Sequence, residues 1–302
     1  MSDAKHLNWG ADDLWLRLEP LLPGISVEVV ARIESTNTRL LDRTRSASGQ
    51  PDSPVTRPGE LDAAGSTERT RYGRRVVDVQ PCLLVAEDQI LGRGRLGRGW
   101  VSRPGASLTF SLSLILAPAE WAGLSLAVGL ALAEALDPLD ARSAGPRIGL
   151  KWPNDLWLLG GPAAGRKLGG ILIETVSVGE HRMCVVGIGL NVLPMSVDGL
   201  THGYACLREI DPATTAPAVL ALLAEPLARA LLAFERDGFA PLVQAYARRD
   251  LLLGQAVTTT LTALPEGVAE GVDGHSALSV RCGELHHVVS GEVSVRLCGA
   301  ET

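Results

Sequence analysis

A two-residue alternation from Ser107 to Leu116 decides how the glycine-rich run before it can fold. Leu108, Phe110, Leu112, Leu114 and Leu116 alternate with Thr109, Ser111 and Ser113, a period that only an extended strand turns into one apolar face. The preceding run, Gly92-Arg93-Gly94-Arg95-Leu96-Gly97-Arg98-Gly99-Trp100, satisfies G-x-G-x-x-G at Gly92, Gly94 and Gly97. A dinucleotide fingerprint needs a helix to open at those glycines. Here Val101-Ser102-Arg103-Pro104-Gly105 makes a turn into the strand instead. The run therefore joins two strands, and its chemistry has to be read differently. Glycine lets backbone N–H groups come close to a ligand, and each guanidinium is a planar fork of donors suited to carboxylate or phosphate. Taken alone, the segment reads either as an anion-gripping loop or as a solvated arginine turn.

Two further segments favour the first reading. Lys151-Trp152-Pro153-Asn154-Asp155-Leu156 sets a lysine, an amide and a carboxylate around a proline turn after an Arg147 to Leu150 lead-in. Arg166-Lys167-Leu168-Gly169-Gly170-Ile171-Leu172-Ile173-Glu174 puts a lysine and two glycines ahead of a short apolar strand. Lys5, Lys151 and Lys167 are the only lysines among 28 basic residues. Where positive charge is otherwise arginine, lysines in these two loops suggest sites that need a compact ammonium. A surface ion pair between Lys151 and Asp155 is the plain alternative.

At these residues the chain resembles the biotin protein ligases, enzymes that attach biotin to a carrier protein. Val186-Gly187-Ile188-Gly189-Leu190-Asn191-Val192 supports the resemblance, as do, more weakly, Glu34-Ser35-Thr36-Asn37 and Ala86-Glu87-Asp88-Gln89. The segments come in the family's order and span the chain from about Ile33 to Arg296. The resemblance implies an α+β fold: a central mixed or antiparallel sheet covered by helices, of the class II synthetase-like kind, over residues 1–252. A small SH3-like β-barrel is implied over 253–302. The implied reaction activates biotin with ATP, Mg²⁺ being expected, to biotinyl-5'-AMP. Transfer then follows to a lysine on the biotin carrier domain of a biotin-dependent carboxylase, the acetyl-CoA carboxylase carrier subunit.

The same resemblance distributes the roles. Lys167, Arg95 and Arg93 are implied as catalytic, and Ser35, Thr36, Asn37, Gln89, Arg93, Gly94, Arg95, Lys167 and Gly170 as the biotin site. Arg93, Arg95, Arg98, Trp100, Lys151, Asn154, Asp155, Lys167 and Asn191 are implied for ATP and the adenylate, and no metal ligands are implied. The chain departs from the family pattern at Ile90 and Leu91, where members commonly carry Thr and a small residue. Its link from Leu156 to Lys167 is also longer than usual, through Leu159-Gly160-Gly161-Pro162-Ala163-Ala164-Gly165. Simpler readings stand beside these: Ser35 as a helix N-cap before Thr38-Arg39-Leu40-Leu41, and Trp100 as a core filler. A lipoate ligase or octanoyl transferase would share the fold with a pocket for a linear acyl chain. A non-catalytic biotin sensor is a reading of another class. The glycine/arginine loop together with Lys151 to Asp155 favours the ligase for biotin.

Composition narrows the rest. A hydrophobic share of 46% with 21% charged residues fits a soluble globular chain, and a net charge of -6 argues against general nucleic-acid binding. The region before Ile33 is too short for a winged DNA-binding domain, so a monofunctional ligase is expected. DNA and membrane partners are not expected, and the resemblance leaves a homodimer open. Cys82, Cys184, Cys206, Cys282 and Cys298 form no C-x-x-C pair and follow no signal sequence, which suits a reducing cytoplasm. His286-His287 reads as surface, and Trp121 to Ala133 is too short to span a bilayer.

Periodicity predicts helices over Ala11–Leu22, Ala119–Asp137 and Ala216–Glu235, the last kinked at Pro226. It predicts strands over Ser26–Ile33, Leu83–Ala86, Ser107–Leu116, Ile171–Thr175 and Met183–Leu190. Short strands around Val257–Leu261, Leu278–Cys282 and Val293–Leu297 suggest a small all-β module. Thr44 to Val79, rich in Ser, Pro, Gly, Thr and Arg, reads as a disordered insertion.

Overall fold

The computed structural model describes residues 7–48, 79–139, 145–160, 165–197, 203–289 and 296–297. In chain order they form α1 (Ala11–Leu18), β1 (Ser26–Ile33), α2 (Thr36–Ser48), β2 (Cys82–Gln89), β3 (Gly92–Arg93), β4 (Gly99–Trp100), β5 (Ser107–Ile115) and α3 (Leu124–Leu136). Then come β6 (Ile148–Lys151), β7 (Asp155–Leu158), β8 (Arg166–Val178), β9 (His181–Asn191), α4 (Ala216–Asp237) and α5 (Val243–Ala247). The last strands are β10 (Ala256–Thr258), β11 (Glu266–Val272), β12 (Leu278–Cys282), β13 (Glu284–Val288) and β14 (Arg296–Leu297).

Seven strands make one mixed sheet in the order β1-β2-β5-β9-β8-β7-β6, with β1 and β2 parallel and the other pairs antiparallel. β5 lies inside it, and its alternation sorts the two faces. Leu108, Phe110, Leu112 and Leu114 belong to the large core with residues of α1, α3 and α4. The sequence alternation predicts a polar opposite face, yet Ser107, Thr109, Ser111 and Ser113 are buried too. That face is covered by a second core, in which Leu40 and Leu41 of α2 pack on Cys82, Leu84, Met183 and Val185. The hydroxyls of β5 thus line an enclosed polar floor rather than a wet surface.

Several boundaries differ from those read off the sequence. α2 runs to Ser48 and includes Thr44, whose Oγ1 donates to the Leu40 carbonyl at 2.9 Å. The remainder of the expected insertion, from 49 to 78, lies outside the described residues. α3 starts at Leu124 rather than Ala119 because Gly123 takes a left-handed φ of 87° at its N-cap. A Cβ there would stand 2.6 Å from that of Phe239. α4 continues through Pro226 as a single 22-residue helix. Its length and apolarity would suffice to cross a bilayer, but Leu220, Leu223, Leu227 and Leu231 are buried in the large core.

The C-terminal strands form an antiparallel sheet in the order β13-β12-β11-β10-β14. β11 and β13 escape the sequence reading because Gly267, Gly271 and the paired His286-His287 interrupt their apolar alternation. Val293, Val295 and Cys298 lie outside the described residues. Val257, Ala269, Leu278 and Val280 share the large core, so this sheet is packed onto the rest of the molecule. Leu150 also donates its N–H to the Arg249 carbonyl at 2.7 Å and accepts from Leu251 at 2.9 Å, which covers the outer edge of β6.

Candidate active site

A cavity of about 270 Å³ opens on the polar side of the main sheet, between the β3–β4 hairpin, the start of α2 and the turns around β6, β7 and β8. All the residues singled out from the sequence lie around it: Ser35, Thr36, Asn37, Gln89, Arg93, Gly94, Arg95, Arg98, Trp100, Lys151, Asn154, Asp155, Lys167, Gly170 and Asn191. Leu96, Met195 and Tyr204 join the lining.

One end is neutral and hydrogen-bonded. Gln89 Oε1 accepts from the Thr36 backbone N–H at 2.7 Å and from Thr36 Oγ1 at 3.1 Å. Asn37 Nδ2 donates to the Leu172 carbonyl at 3.1 Å and to Glu174 Oε2 at 3.0 Å. Ser111 Oγ lies 2.6 Å from both Thr36 Oγ1 and Asn37 Oδ1. Ser35 Oγ accepts from the Thr38 N–H at 3.4 Å, so it caps α2 and borders the cavity together.

Gly187 and Gly189, two residues apart on β9, face this side of the sheet. A Cβ on Gly187 would lie 2.1 Å from Asn37 Oδ1, and one on Gly189 would lie 2.4 Å from the Trp100 ring. Glycine here gives the amide and the indole room to lie against the strand. The Trp100 Nε1 is buried with no acceptor among the described residues.

The other end is cationic. Lys167 Nζ donates to Asp155 Oδ1 at 2.8 Å. The carboxylate of Asp155 thus serves Lys167, and Lys151 does not stand at the surface. It is buried, with its ammonium 4.7 Å from the Trp157 ring centroid. Both lysines sit on strands, Lys151 ending β6 and Lys167 near the start of β8, rather than in loops. Asn154 Nδ2 donates to the Ile171 carbonyl at 2.8 Å, and Asn191 Nδ2 to those of Lys167 at 3.2 Å and Ala205 at 2.9 Å. These two amides fix the frame that presents Lys167.

The three loop arginines differ in how their charge is met. Arg93 is bound by Glu174 Oε1 at 2.8 Å and Thr38 Oγ1 at 3.1 Å. Arg95 and Arg98 have no ion-pair partner among the described residues. Burial holds the Arg95 pKa below its ordinary value, with Asp155 opposing that shift and Arg98 adding to it. Uncompensated guanidinium charge beside a cavity favours an anionic ligand.

Comparison with known proteins agrees with this geometry. Residues 79–191 match the model of the Biotin/lipoate A/B protein ligase family. The chain is 32% identical over 282 residues to the bifunctional ligase/repressor BirA of Escherichia coli, covering 91% of this chain and 75% of that protein. The chain belongs to the biotin/lipoate protein ligase family. Over 308 residues it is also 30% identical to the biotin--[acetyl-CoA-carboxylase] ligase of Mycobacterium tuberculosis, with 96% of this chain and 97% of that one covered. The solved biotin protein ligase of Aquifex aeolicus, in complex with biotin and ATP, superposes with a TM-score of 0.64 at 25% identity, covering 90% of this chain and 98% of that one.

Sequence reasoning about this family member missed Ser111, Glu174, Gly187 and Gly189 as parts of the site. Ser111 is a hydroxyl in the polar phase of an alternation, which reads as solvent-facing until the second core is known. The two glycines carry a usable signal, since glycine repeated within an apolar strand marks a close approach.

Proposed function

We propose that this chain is an ATP-dependent biotin protein ligase that forms biotinyl-5'-AMP and passes the biotinyl group to a lysine of a biotin carrier domain. One observation carries the reading: a single cavity joins a hydrogen-bonding end at Thr36, Asn37 and Gln89 to a cationic end where Arg95, Arg98 and Lys167 converge. Biotin has matching ends, a urea on an apolar bicycle and a carboxylate on a valeryl chain.

In the first half-reaction a carboxylate oxygen of biotin attacks the α-phosphorus of ATP, and the bond to pyrophosphate breaks. Two anions meet, so cations must offset their repulsion and the charge of the transition state. Arg95 and Arg98 bring charge that is held in no ion pair among the described residues. Lys167, steadied by Asp155, is aimed at the junction of the two substrates. In the second half-reaction the acceptor lysine amine attacks the carbonyl of the mixed anhydride. A C–N bond forms, the C–O bond to AMP breaks, and the nitrogen gives up a proton. Water must be kept from the same carbonyl until then, a task suited to the glycine/arginine loop.

Among the described residues no group of three or more His, Cys, Asp or Glu could hold a metal ion. Mg²⁺ is expected to enter with ATP, bound to its phosphates. The acceptor we assign is the carrier domain of a biotin-dependent carboxylase, in keeping with the name of the Mycobacterium relative, which specifies acetyl-CoA carboxylase. The same reading divides the chain at about residue 252, between a catalytic part and an SH3-like module.

The test is exchange of labelled pyrophosphate into ATP, run with biotin, with lipoate and with neither, followed by transfer to a carrier domain bearing its target lysine. Exchange and transfer with biotin alone are expected. Exchange driven by lipoate would redirect the assignment, and biotin binding without exchange would make the protein a sensor.

A further inference from the structure

The hydrogen bonds of the cavity continue past its wall to the glycine/arginine loop through a residue that does not line it. Glu174, on β8, holds one partner with each oxygen: Oε1 accepts from Arg93 Nη2 at 2.8 Å, and Oε2 accepts from Asn37 Nδ2 at 3.0 Å. Arg93 belongs to the loop and Asn37 to the hydrogen-bonded end of the cavity. Arg93 Nη1 donates to Thr38 Oγ1 at 3.1 Å, so both of these contacts fall on fixed elements, α2 and β8. Beyond Asn37 the chain runs through Ser111, 2.6 Å from Asn37 Oδ1 and from Thr36 Oγ1, to Gln89. From Arg93 through Glu174 and Asn37 to Ser111 every link is a direct side-chain hydrogen bond; the Ser111 hydrogen goes to Asn37 Oδ1 and that of Thr36 to Gln89 Oε1, so the Ser111–Thr36 approach is a close contact of two oxygens.

Two features make the path more than an incidental cluster. The Asn37 amide has one orientation open to it: its oxygen faces the Ser111 hydroxyl and its nitrogen faces two acceptors, Glu174 and the Leu172 carbonyl. Turning it over would set an oxygen against a carboxylate. Arg93 differs from its neighbours in having its charge already met by Glu174, which is only 23% exposed. A guanidinium neutralised in this way is a poor clamp for phosphate and a good anchor for a loop.

We propose that Glu174 is a positioning residue that couples closure of the glycine/arginine loop to occupation of the biotin end of the cavity, with Arg93 as the loop's anchor. The inference rests on the ligase reading for the identity of the ligand. Biotin held against Thr36 and Asn37 fixes the amide, the amide fixes the carboxylate, and the carboxylate fixes Arg93. Linkage makes the effect mutual, so the anchored loop in turn strengthens the hold on biotin. Arg95 and Arg98 are then presented to the nucleotide after the vitamin has bound.

The experiment uses the full chain and reads trypsin cleavage after Arg95, next to the exposed Leu96, with and without saturating biotin, beside calorimetric titration of biotin. In the unaltered protein biotin is expected to slow that cleavage about tenfold, because proteolysis follows the population of the open loop. Glu174→Gln keeps the shape and the acceptor for Asn37 but removes the charge that holds Arg93. It should still bind biotin, while protection falls to about twofold or less. Arg93→Gln breaks the same pair from the exposed side and should lose protection equally, which covers the case of a Glu174 variant that folds poorly. Protection as strong in both variants as in the parent would overturn the coupling, as would biotin binding by the parent with no protection. A parent protein that does not bind biotin would instead overturn the ligase reading, and the inference would fall with it.

Discussion

Lys167 Nζ donates to Asp155 Oδ1 at 2.8 Å across the β7–β8 pair, so the ammonium reaches the cavity with its orientation set by a carboxylate. Both side chains are mostly buried, 32% and 18% exposed, which makes the pair more than a screened surface contact. Lys167→Ala should lower biotin-dependent pyrophosphate exchange by about 10²- to 10³-fold, the usual cost of losing a donor aimed at developing charge. Biotin affinity should fall much less. An unchanged exchange rate would remove Lys167 from the chemistry.

Arg95 is half-buried, without an ion-pair partner among the described residues, and close enough to Asp155 and Arg98 to feel both charges. Arg95→Gly deletes a charge that the folded chain does not itself use. Global stability should therefore change little, while the preformed adenylate should dissociate about tenfold faster, as expected for one lost charge-assisted contact. The measurement is the half-life of labelled biotinyl-5'-AMP on the protein without acceptor, and an unaltered half-life would refute the role.

Gly187 and Gly189 allow the two ends of the site to be tested separately from one strand. Gly187→Ala places a methyl group 2.1 Å from Asn37 Oδ1 and should weaken biotin binding with little effect on the KM for ATP. Gly189→Ala places it 2.4 Å from the Trp100 ring and should do the reverse. Displacing either side chain costs on the order of 1–3 kcal/mol, as overpacking does in cores. Initial-rate kinetics with each substrate varied in turn decides the matter, and equal effects of both variants on both constants would show that the ends are not separable.

These contrasts mark where the sequence was legible. The alternation of β5 and the turn before it were enough to reject a helix after the glycines, because both are local properties of the chain. The order of the six segments was enough to gather Arg95, Lys151 and Lys167 at one site. The partner of each charge was not readable, since pairing depends on register. The bulge between Leu156 and Trp157 and the hairpin of β7 with β8 bring Asp155 to Lys167, although Lys151 pairs with Asp155 along the backbone of β6 and β7. Ser111 and Glu174 stayed hidden for a related reason: both belong to the polar phase of strands whose second face proved to be covered by α2.

Trp152 connects the site to the C-terminal sheet. Its indole is buried and donates to the Ser276 carbonyl at 3.1 Å, directly after Lys151 and before Asn154 and Asp155. Trp152→Phe leaves that carbonyl without its donor, at a cost of about 1–3 kcal/mol. It also loosens the turn that sets Lys151, Asn154 and Asp155 against the cavity. The rate of adenylate formation should drop by an order of magnitude or more, in keeping with the sensitivity of such reactions to small misplacements. Single-turnover adenylation measured beside urea unfolding separates the two effects, and a stability loss with full adenylation would limit Trp152 to packing.

Asp250 gives the fold a pH dependence of known sign. Burial pushes its carboxyl up to about 6, against the backbone hydrogen bonds from Leu252 and Leu253. Its Oδ2 is buried without a partner among the described residues, as is the hydroxyl of nearby Tyr246, whose own pKa is raised by burial and by Asp250. A carboxyl that binds its proton more tightly when folded stabilises the protein fully below about pH 4, and that contribution is lost as the pH rises through about 6. Asp250→Asn keeps the acceptor for the Leu252 N–H, at 2.9 Å in the parent, and carries no charge at any pH. The variant should match the parent at about pH 4 and exceed its stability by about 1–3 kcal/mol above pH 7. Urea unfolding of both proteins between those limits is the measurement. A stability difference that does not change with pH would mean that Asp250 is not the group that titrates, whereas one that opens between pH 4 and 6 would place the buried charge at the junction of α5 with the C-terminal sheet.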